Sequence, residues 1–464
     1  MEHFDFLFHF DYGSWLSEEL LRKHKKVAIL VFNSQQEDLI MINTKAFCIN
    51  LTKIRRELDA KLRITDVNEE LNRLCNKYGY YQVNRAIFPS SYYYGWYSWN
   101  KYKHLLCSYL RAWEYIFENL ISCDYYVRMI GDDYQHYASK IAVKYYVKSS
   151  ICFGAYSVMD RIQFTTDFLS KWNIMNYDIY PSDEETKIIK NWVEYQVTKK
   201  PIKTYFSDSY DSPKLKHEYF WKYPYHIMKY YKLKESEDLF TNPFRIGFEK
   251  ISIYIKSKIF KLFSKKYCND KNKYFYFPLH VTNDSALTSF SEPFVDQLFI
   301  IKLLHKYLPH GYKLYIKEHP AGQGTLRLTD FIEILKLPDV VVLEASTNSH
   351  DIIENASCVC VLSSTVGLEA ILHGKPVITL VSSYYSNQDV TVDVRDLSKL
   401  PECMVTAIGF RPDREKVVKM LTRLYRDSYP IDAKKFYKNE KTAAPAFVAA
   451  LTEYCARLNV KTDS

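Results

Sequence analysis

The sequence predicts an α/β protein of two domains, each built on a parallel β-sheet. Three observations carry this. The chain of 464 residues exceeds what a single hydrophobic core serves. Strand-like and helix-like segments alternate at short intervals from about 274 to 428, the pattern of a parallel sheet with helices on its faces. The order strand, helix, strand also appears near the N-terminus.

In the second half, strands are predicted at 274–281, 313–319, 340–346, 358–364 and 376–382, and helices at 294–308, 328–337, 350–356, 366–373 and 414–427. The stops agree: Gly311 follows the first helix, Pro338 the second, and Gly374-Lys375-Pro376 closes the fourth. In the first half, 4–10, 17–24 and 27–32 read as strand, helix and strand. The same order recurs at 124–131, 134–146 and 150–155. The stretch 184–270 lacks a strand period and reads as helical insertions. The expected division is a first domain over 1–270, a second over 271–430, and a terminal segment 431–464 whose helix 444–458 has an apolar face.

Composition excludes several classes. A hydrophobic fraction of 47% and a charged fraction of 25% belong to a globular chain with a real core. The longest apolar runs are strand-sized, well short of the roughly 20 residues that cross a bilayer. The N-terminus lacks the basic and small-residue features of an export signal, so a cytoplasmic location is expected. Ten cysteines without CxxC pairs predict buried thiols and no metal site. A net charge of +9 suits a phosphate-bearing ligand or an anionic membrane face. The basic stretch 253–267 reads as an amphipathic helix for anionic lipid, or as a solvated face. Lysines and aromatics interleave over 216–233, yet no nucleic-acid module appears. The aromatic run 92–99 reads equally as a sugar-stacking surface or as core.

In an open parallel sheet, ligands sit at the carboxyl ends of the strands. Those ends carry His280, then His319-Pro320, then Ser346-Thr347-Asn348, then Ser363-Ser364-Thr365. Hydroxyls and backbone N–H groups opening the helix at 366 make an anion site, with the helix dipole adding to it. Lys317 and His319 alternate with Glu318, so both basic side chains share one face. Glu369 lies a turn into the helix, as a carboxylate near a helix start or as an acceptor for ribose hydroxyls.

The run FPLHV…KLYIKEHP…SSTVGLEAILHGKPVI, over about 274–385, resembles the capsule polysaccharide biosynthesis family, which includes Kdo transferases. The resemblance implies a glycosyltransferase of GT-B type: two Rossmann-like domains facing a cleft, with a C-terminal helix crossing back. By similarity to GT-B enzymes that use CMP-sugars, including bacterial sialyltransferases, His319, Ser363, Ser364 and Thr365 bind the nucleotide phosphate. Lys317, Pro320 and Ser346 complete the donor site, and His319 also stabilises the leaving phosphate. A likeness to non-hydrolysing UDP-sugar 2-epimerases supports Glu369 on the ribose and supplies a rival activity.

The acceptor-side base is expected in the first domain. The family's acidic pair followed by Gly is reversed here as Gly131-Asp132-Asp133. Asp133 is read as the base, Asp132 as the helix cap, and His136 as the group orienting either; Asp11 and Tyr12-Gly13 are the second choice. Two adjacent carboxylates repel, which would raise one of them. The implied reaction is an inverting, metal-independent sugar transfer needing no cofactor. Its donor is a nucleotide-sugar, CMP-linked acidic sugar before UDP-sugar, and its acceptor a surface or capsular glycan. The alternatives are a UDP-sugar 2-epimerase and a non-catalytic assembly subunit of capsule synthesis.

Overall fold

The computed structural model describes residues 1–44, 46–61, 66–94, 98–129, 131, 133–154, 158–201, 243–268, 272–282, 284–292 and 294–462. The chain forms two units, Met1–Trp172 with Ser428–Ser464, and Asn173–Asp427.

The first unit contains a six-stranded sheet of β1 (Glu2–His9), β2 (Val27–Val31), β3 (Phe47–Asn50), β4 (Ile121–Met129), β5 (Ser149–Phe153) and β6 (Phe164–Thr165), in the order β3-β2-β1-β4-β5-β6. All neighbours are parallel except β5 and β6. The central strands are buried on both faces, which is why Val27–Val31 reads as one apolar run rather than an alternation. Among the described residues, the crossover from β3 to β4 holds helices Leu51–Lys61, Val67–Tyr78, Val83–Tyr94 and Trp99–Tyr115, the last running into a π-helical turn at Ile116–Leu120.

The second unit repeats the plan. Its strands β7 (Lys273–Pro278), β8 (Tyr312–Lys317), β9 (Val340–Leu343), β10 (Cys358–Val361), β11 (Val377–Thr379) and β12 (Val392–Asp393) lie in the order β12-β11-β10-β7-β8-β9, all parallel. Counted within each unit, both sheets have the order 3-2-1-4-5-6, the doubly wound arrangement that binds nucleotides where the strand order reverses. The predicted Rossmann-like character of both halves is therefore a property of this chain's own topology.

The two faces of the second sheet differ in chemistry. Register pairs Phe275 with Leu314 and Phe277 with Ile316, and these four point into an apolar core that also holds Phe260, Phe331 and Met404. Full burial of each large apolar side chain contributes roughly 1.5–3 kcal/mol. The alternate positions, Tyr274, Tyr276, Tyr315 and Lys317, share the opposite face. There Tyr274 stacks on Tyr315 at 4.1 Å between ring centroids, and the Tyr274 hydroxyl donates to the Ile352 carbonyl at 2.6 Å. The Cys358 and Cys360 thiols are fully buried in β10.

The division falls at 172/173 instead of near 270. Helix Asp183–Lys199 packs on helices Thr365–Leu372 and Arg414–Arg426 of the second unit. The Arg423 guanidinium donates to the Tyr177 carbonyl at 2.8 Å, Gln388 to the Ile174 carbonyl at 2.9 Å, and Arg426 pairs with Glu185 at 2.7 Å. The segment predicted as insertions thus supplies two helices, Asp183–Lys199 and Pro243–Phe263, to the second unit; 202–242 lies outside the described residues, and with it the stretch 216–233.

After Asp427 the chain returns to the first unit. Helix Ala444–Thr462 packs on helix Phe10–Arg22. Phe447 meets Phe153, Phe164 and Phe436 at 5.2, 5.3 and 4.6 Å. Trp15 donates to Asn439 at 3.1 Å and Tyr125 to Asn459 at 2.8 Å.

Candidate functional site

In the second unit the strand order reverses between β7 and β10, and the carboxyl ends of β10, β7 and β8 lie side by side. Period-two alternation along β7 and β8 gives His280, Lys317 and His319 the same parity as Tyr276, the polar face. The His319 Nδ1 accepts the Ala321 N–H at 3.2 Å, so the proton sits on Nε2. Burial lowers its pKa to about 4, with Lys317 and His280 adding in the same direction against Asp284. His319 is therefore a neutral hydrogen-bond donor at ordinary pH. His280 is held at about 4 by burial, and its Nε2 is a buried atom with no hydrogen-bond partner among the described residues.

Lys317 is 3% exposed and donates to the Thr347 carbonyl at 3.1 Å. Burial pulls its pKa to about 8, opposed by Glu369. Glu318 points the other way, as alternation requires. It accepts the Gly324 N–H at 3.1 Å, and burial lifts it to about 7 against that bond and Lys256.

The helix Thr365–Leu372 opens with Ser364 as its cap, whose Oγ accepts the Val366 N–H at 3.2 Å. Above it, Tyr385 donates to the Ser364 carbonyl at 2.6 Å. A Cβ on Gly367 would come within 2.3 Å of that tyrosine's hydroxyl, so the motif glycine is set by the close approach of a ring. Ser363 is committed elsewhere: its hydroxyl donates to the Ala286 carbonyl at 2.9 Å and lies 3.0 Å from Ser291. It ties the strand end to the 284–291 loop. Ser346 is exposed and donates weakly to Glu344 at 3.4 Å. Thr365 and Pro320 are part-buried at the starts of their helical turns. Glu369 faces a buried group that the sequence did not suggest: His350 Nε2 lies 4.0 Å from its carboxylate, and His350 Nδ1 is 2.9 Å from His373 Nε2.

In the first unit the order reverses between β1 and β4, and the same edge carries His9, Gly131 and the helix start at Asp133. Asp133 caps helix Tyr134–Tyr146, accepting the N–H groups of Gln135 at 2.8 Å and His136 at 3.0 Å. Its second oxygen bonds His136 Nδ1 at 2.9 Å. Burial alone would raise this carboxyl, but the His136 charge and hydrogen bond together with the two N–H groups hold it below the usual range. This corrects one expectation: Asp133, read as the base beside a capping Asp132, is itself the cap, and of the pair it is not the carboxyl that is raised. Asp132 lies outside the described residues, as do the side chains of Asp11 and Tyr12 and those of 92–97.

The His136 ring packs so close to Gly131 that a Cβ there would meet its Cδ2 at 2.2 Å. It stacks at 5.8 Å on His9, which hydrogen-bonds the Tyr126 hydroxyl. Burial drives His9 down to about 3, with His136 and Arg128 adding to it against Asp133. His9 sits in an aromatic run, where no local pattern marks it; only the pairing of β1 with β4 brings it to His136.

Residues 173–400 match the family described as capsule polysaccharide biosynthesis protein. The match spans just under half of the chain. The match begins at the residue where the second unit begins. Every predicted donor-side residue, from Lys317 to Glu369, lies inside the matched segment, whereas His9, Asp133 and His136 lie outside it. Protein FixF of Sinorhizobium fredii (strain NBRC 101917 / NGR234) is 36% identical over 101 residues, which span 22% of this chain and 23% of that protein. Among solved structures, the chain is similar to two parts of Thermosulfurimonas dismutans KpsC. The β-Kdo 2,7 transferase has 15% identity, with 68% of this chain and 89% of that chain covered and a TM-score of 0.31. The β-Kdo 2,4 transferase has 11% identity, with 65% and 87% covered and a TM-score of 0.33.

Proposed function

We propose that the protein transfers a sugar from a nucleotide-sugar to a glycan acceptor in capsule or surface polysaccharide synthesis. The observation that carries this reading is that each 3-2-1-4-5-6 sheet has, at its own reversal point, the chemistry one half of such a reaction needs. On the second unit, the neutral His319 donor, Lys317 and the helix opening at Thr365 suit the phosphate of the donor nucleotide, and Glu369 suits its ribose. A CMP-linked acidic sugar is favoured over a UDP-sugar on the resemblance of the HP and Ser-Ser/Thr segments. On the first unit, Asp133 holds His136 with its proton on Nδ1, leaving the Nε2 lone pair to take the acceptor proton. His136 is thus the base and Asp133 its positioning residue. The transfer is inverting and needs no metal or cofactor. Incubation with a nucleotide-sugar should release free nucleotide only when glycan is added. Steady conversion of the donor sugar without acceptor would mean an epimerase, and nucleotide binding without turnover would mean an assembly subunit.

The protein also meets an anionic membrane face in this reading. No helix among the described residues is long and apolar enough to cross a membrane. Helix Pro243–Phe263 nevertheless exposes Phe244, Phe248, Ile251, Ile255 and Leu262, spaced as one helical stripe. Lys258, Lys261, Lys265 and Lys266 are exposed beside it. Lys256 is not part of this face: it is half-buried and donates to the Leu326 carbonyl at 3.2 Å. Binding to acidic vesicles should fall with added salt and be lost on exchange of Lys258, Lys261 and Lys265 for Gln. Equal partitioning of both proteins would leave an ordinary solvated face.

A further inference from the structure

The first unit holds a second cluster of cations that the transfer chemistry does not use. A cavity of ≈ 230 Å³ is bounded by Arg128, Lys140, Lys144, Lys148, Ser150 and the 166–168 turn, among others. Arg128 and Lys140 are each 2% exposed and form its inner wall. Lys144, Lys148 and Thr166 are exposed at its rim, so it opens to solvent.

Arg128 is the informative residue. Its hydrogen bonds are long and all to neutral groups: Ser150 Oγ, the Met129 carbonyl and the Phe168 carbonyl at 3.4 Å, and Cys152 Sγ at 3.8 Å. Good N–H···O bonds lie near 2.9 Å, and a buried guanidinium ordinarily meets a carboxylate. Among the described residues, no carboxylate lies within ion-pair distance of Arg128. Asp167, on the cavity wall, spends one oxygen on the Leu169 and Lys171 N–H groups at 2.9 and 3.0 Å. At the rim, Lys148 is matched by Asp124 at 3.1 Å. The Arg128 charge therefore faces the cavity with no described carboxylate beside it, on a wall that also offers hydroxyls.

We infer that this cavity is a binding site for a phosphate group. The planar fork of Arg128 suits two oxygens of one tetrahedral anion, and Lys140 and Lys144 add point charges along one side of helix Tyr134–Tyr146. A doubly charged phosphate matches these cations better than a single carboxylate does. The volume falls below the roughly 300–1,000 Å³ of small-molecule pockets, so it fits a phosphate head and not a whole nucleotide. Lys140 is one helical turn beyond His136, which puts the bound phosphate on the acceptor-side unit. The inference concerns binding alone and stands whether or not His136 is a base.

Calorimetric titration of the full chain with inorganic phosphate tests it. Arg128→Gln should bind about tenfold more weakly, as loss of a charge-assisted hydrogen bond gives. Lys144→Gln, at the exposed rim, should bind about threefold more weakly. The same binding phase should persist in His319→Ala, which separates it from any phosphate held by the second unit. If Arg128→Gln does not fold, Lys144→Gln and Ser150→Ala decide the matter. Competition by glucose 1-phosphate would identify a soluble phosphomonoester, and retention on phosphatidate vesicles, lost in Lys144→Gln, a lipid headgroup. Unchanged phosphate affinity in the folded cavity variants, or no phosphate binding at all, overturns the site.

Discussion

His136→Ala should slow sugar transfer by roughly 10²–10⁴-fold, the usual contribution of a positioned general base. The donor affinity should be unchanged, because the ring belongs to the first unit, where it contacts Asp133, Gly131 and His9. Asp133→Asn is the partner experiment. Asparagine caps a helix as well as aspartate does, so the Gln135 and His136 N–H groups keep an acceptor and the fold is retained. What is lost is the negative charge that fixes the His136 tautomer and stabilises its protonated form, and turnover should fall with it. Both variants together should be little worse than either one, since the pair acts as a unit. Retained turnover in His136→Ala with loss in Asp133→Asn would return the role of base to the carboxylate. Loss in neither would move the base away from this edge of the sheet.

His319→Ala should cost about 2–4 kcal/mol of transition-state stabilisation, comparable to removing one oxyanion donor. The Nε2–H is the donor at stake, since Nδ1 is already bonded to the Ala321 N–H. A pH signature accompanies it. The ring's pKa falls from 6.5 to about 4 on folding. The unfolded chain therefore takes up this proton first as pH drops. The stability contribution is present in full above about 6.5 and is lost on the way down to 4. Thermal melts of His319→Ala should show a shallower decline over that window than the wild type. His9 and His280, lowered in the same direction, keep some of the slope in both proteins. Near-normal turnover by a folded His319→Ala protein would remove this residue from the donor site.

The second unit was legible at the level of single elements because its strands are short, apolar and closed by glycine and proline. Strand β10 and helix Thr365–Leu372 fall within a few residues of their predicted places, and Gly374 closes that helix with a φ of 68°. The alternation of Lys317, Glu318 and His319 also survived, since a strand's period of two is a local property. The crossover helices between β3 and β4 are not among the elements the sequence pattern predicts. In helix Trp99–Tyr115, Tyr102, Tyr109 and Trp113 put aromatic rings on the buried face, which blurs the aliphatic period that marks a surface helix.

By itself, then, the sequence determined the α/β class, the approximate strand ends of the second unit and a resemblance over 274–385 that lies inside the matched 173–400, because local period and turn chemistry act over a few residues. Tertiary structure alone decided the rest. It assigned Tyr177 and helix Asp183–Lys199 to the second unit through Arg423 and Arg426 respectively, which lie more than two hundred residues away along the chain. It bonded the Ser363 hydroxyl to a loop carbonyl, and made Asp133 the helix cap whose second oxygen meets His136. Pairing β1 with β4 brought His9 to His136, and pairing β4 with β5 set Arg128 beside Ser150. Each depends on register between strands and on burial, and neither quantity exists until distant segments have packed.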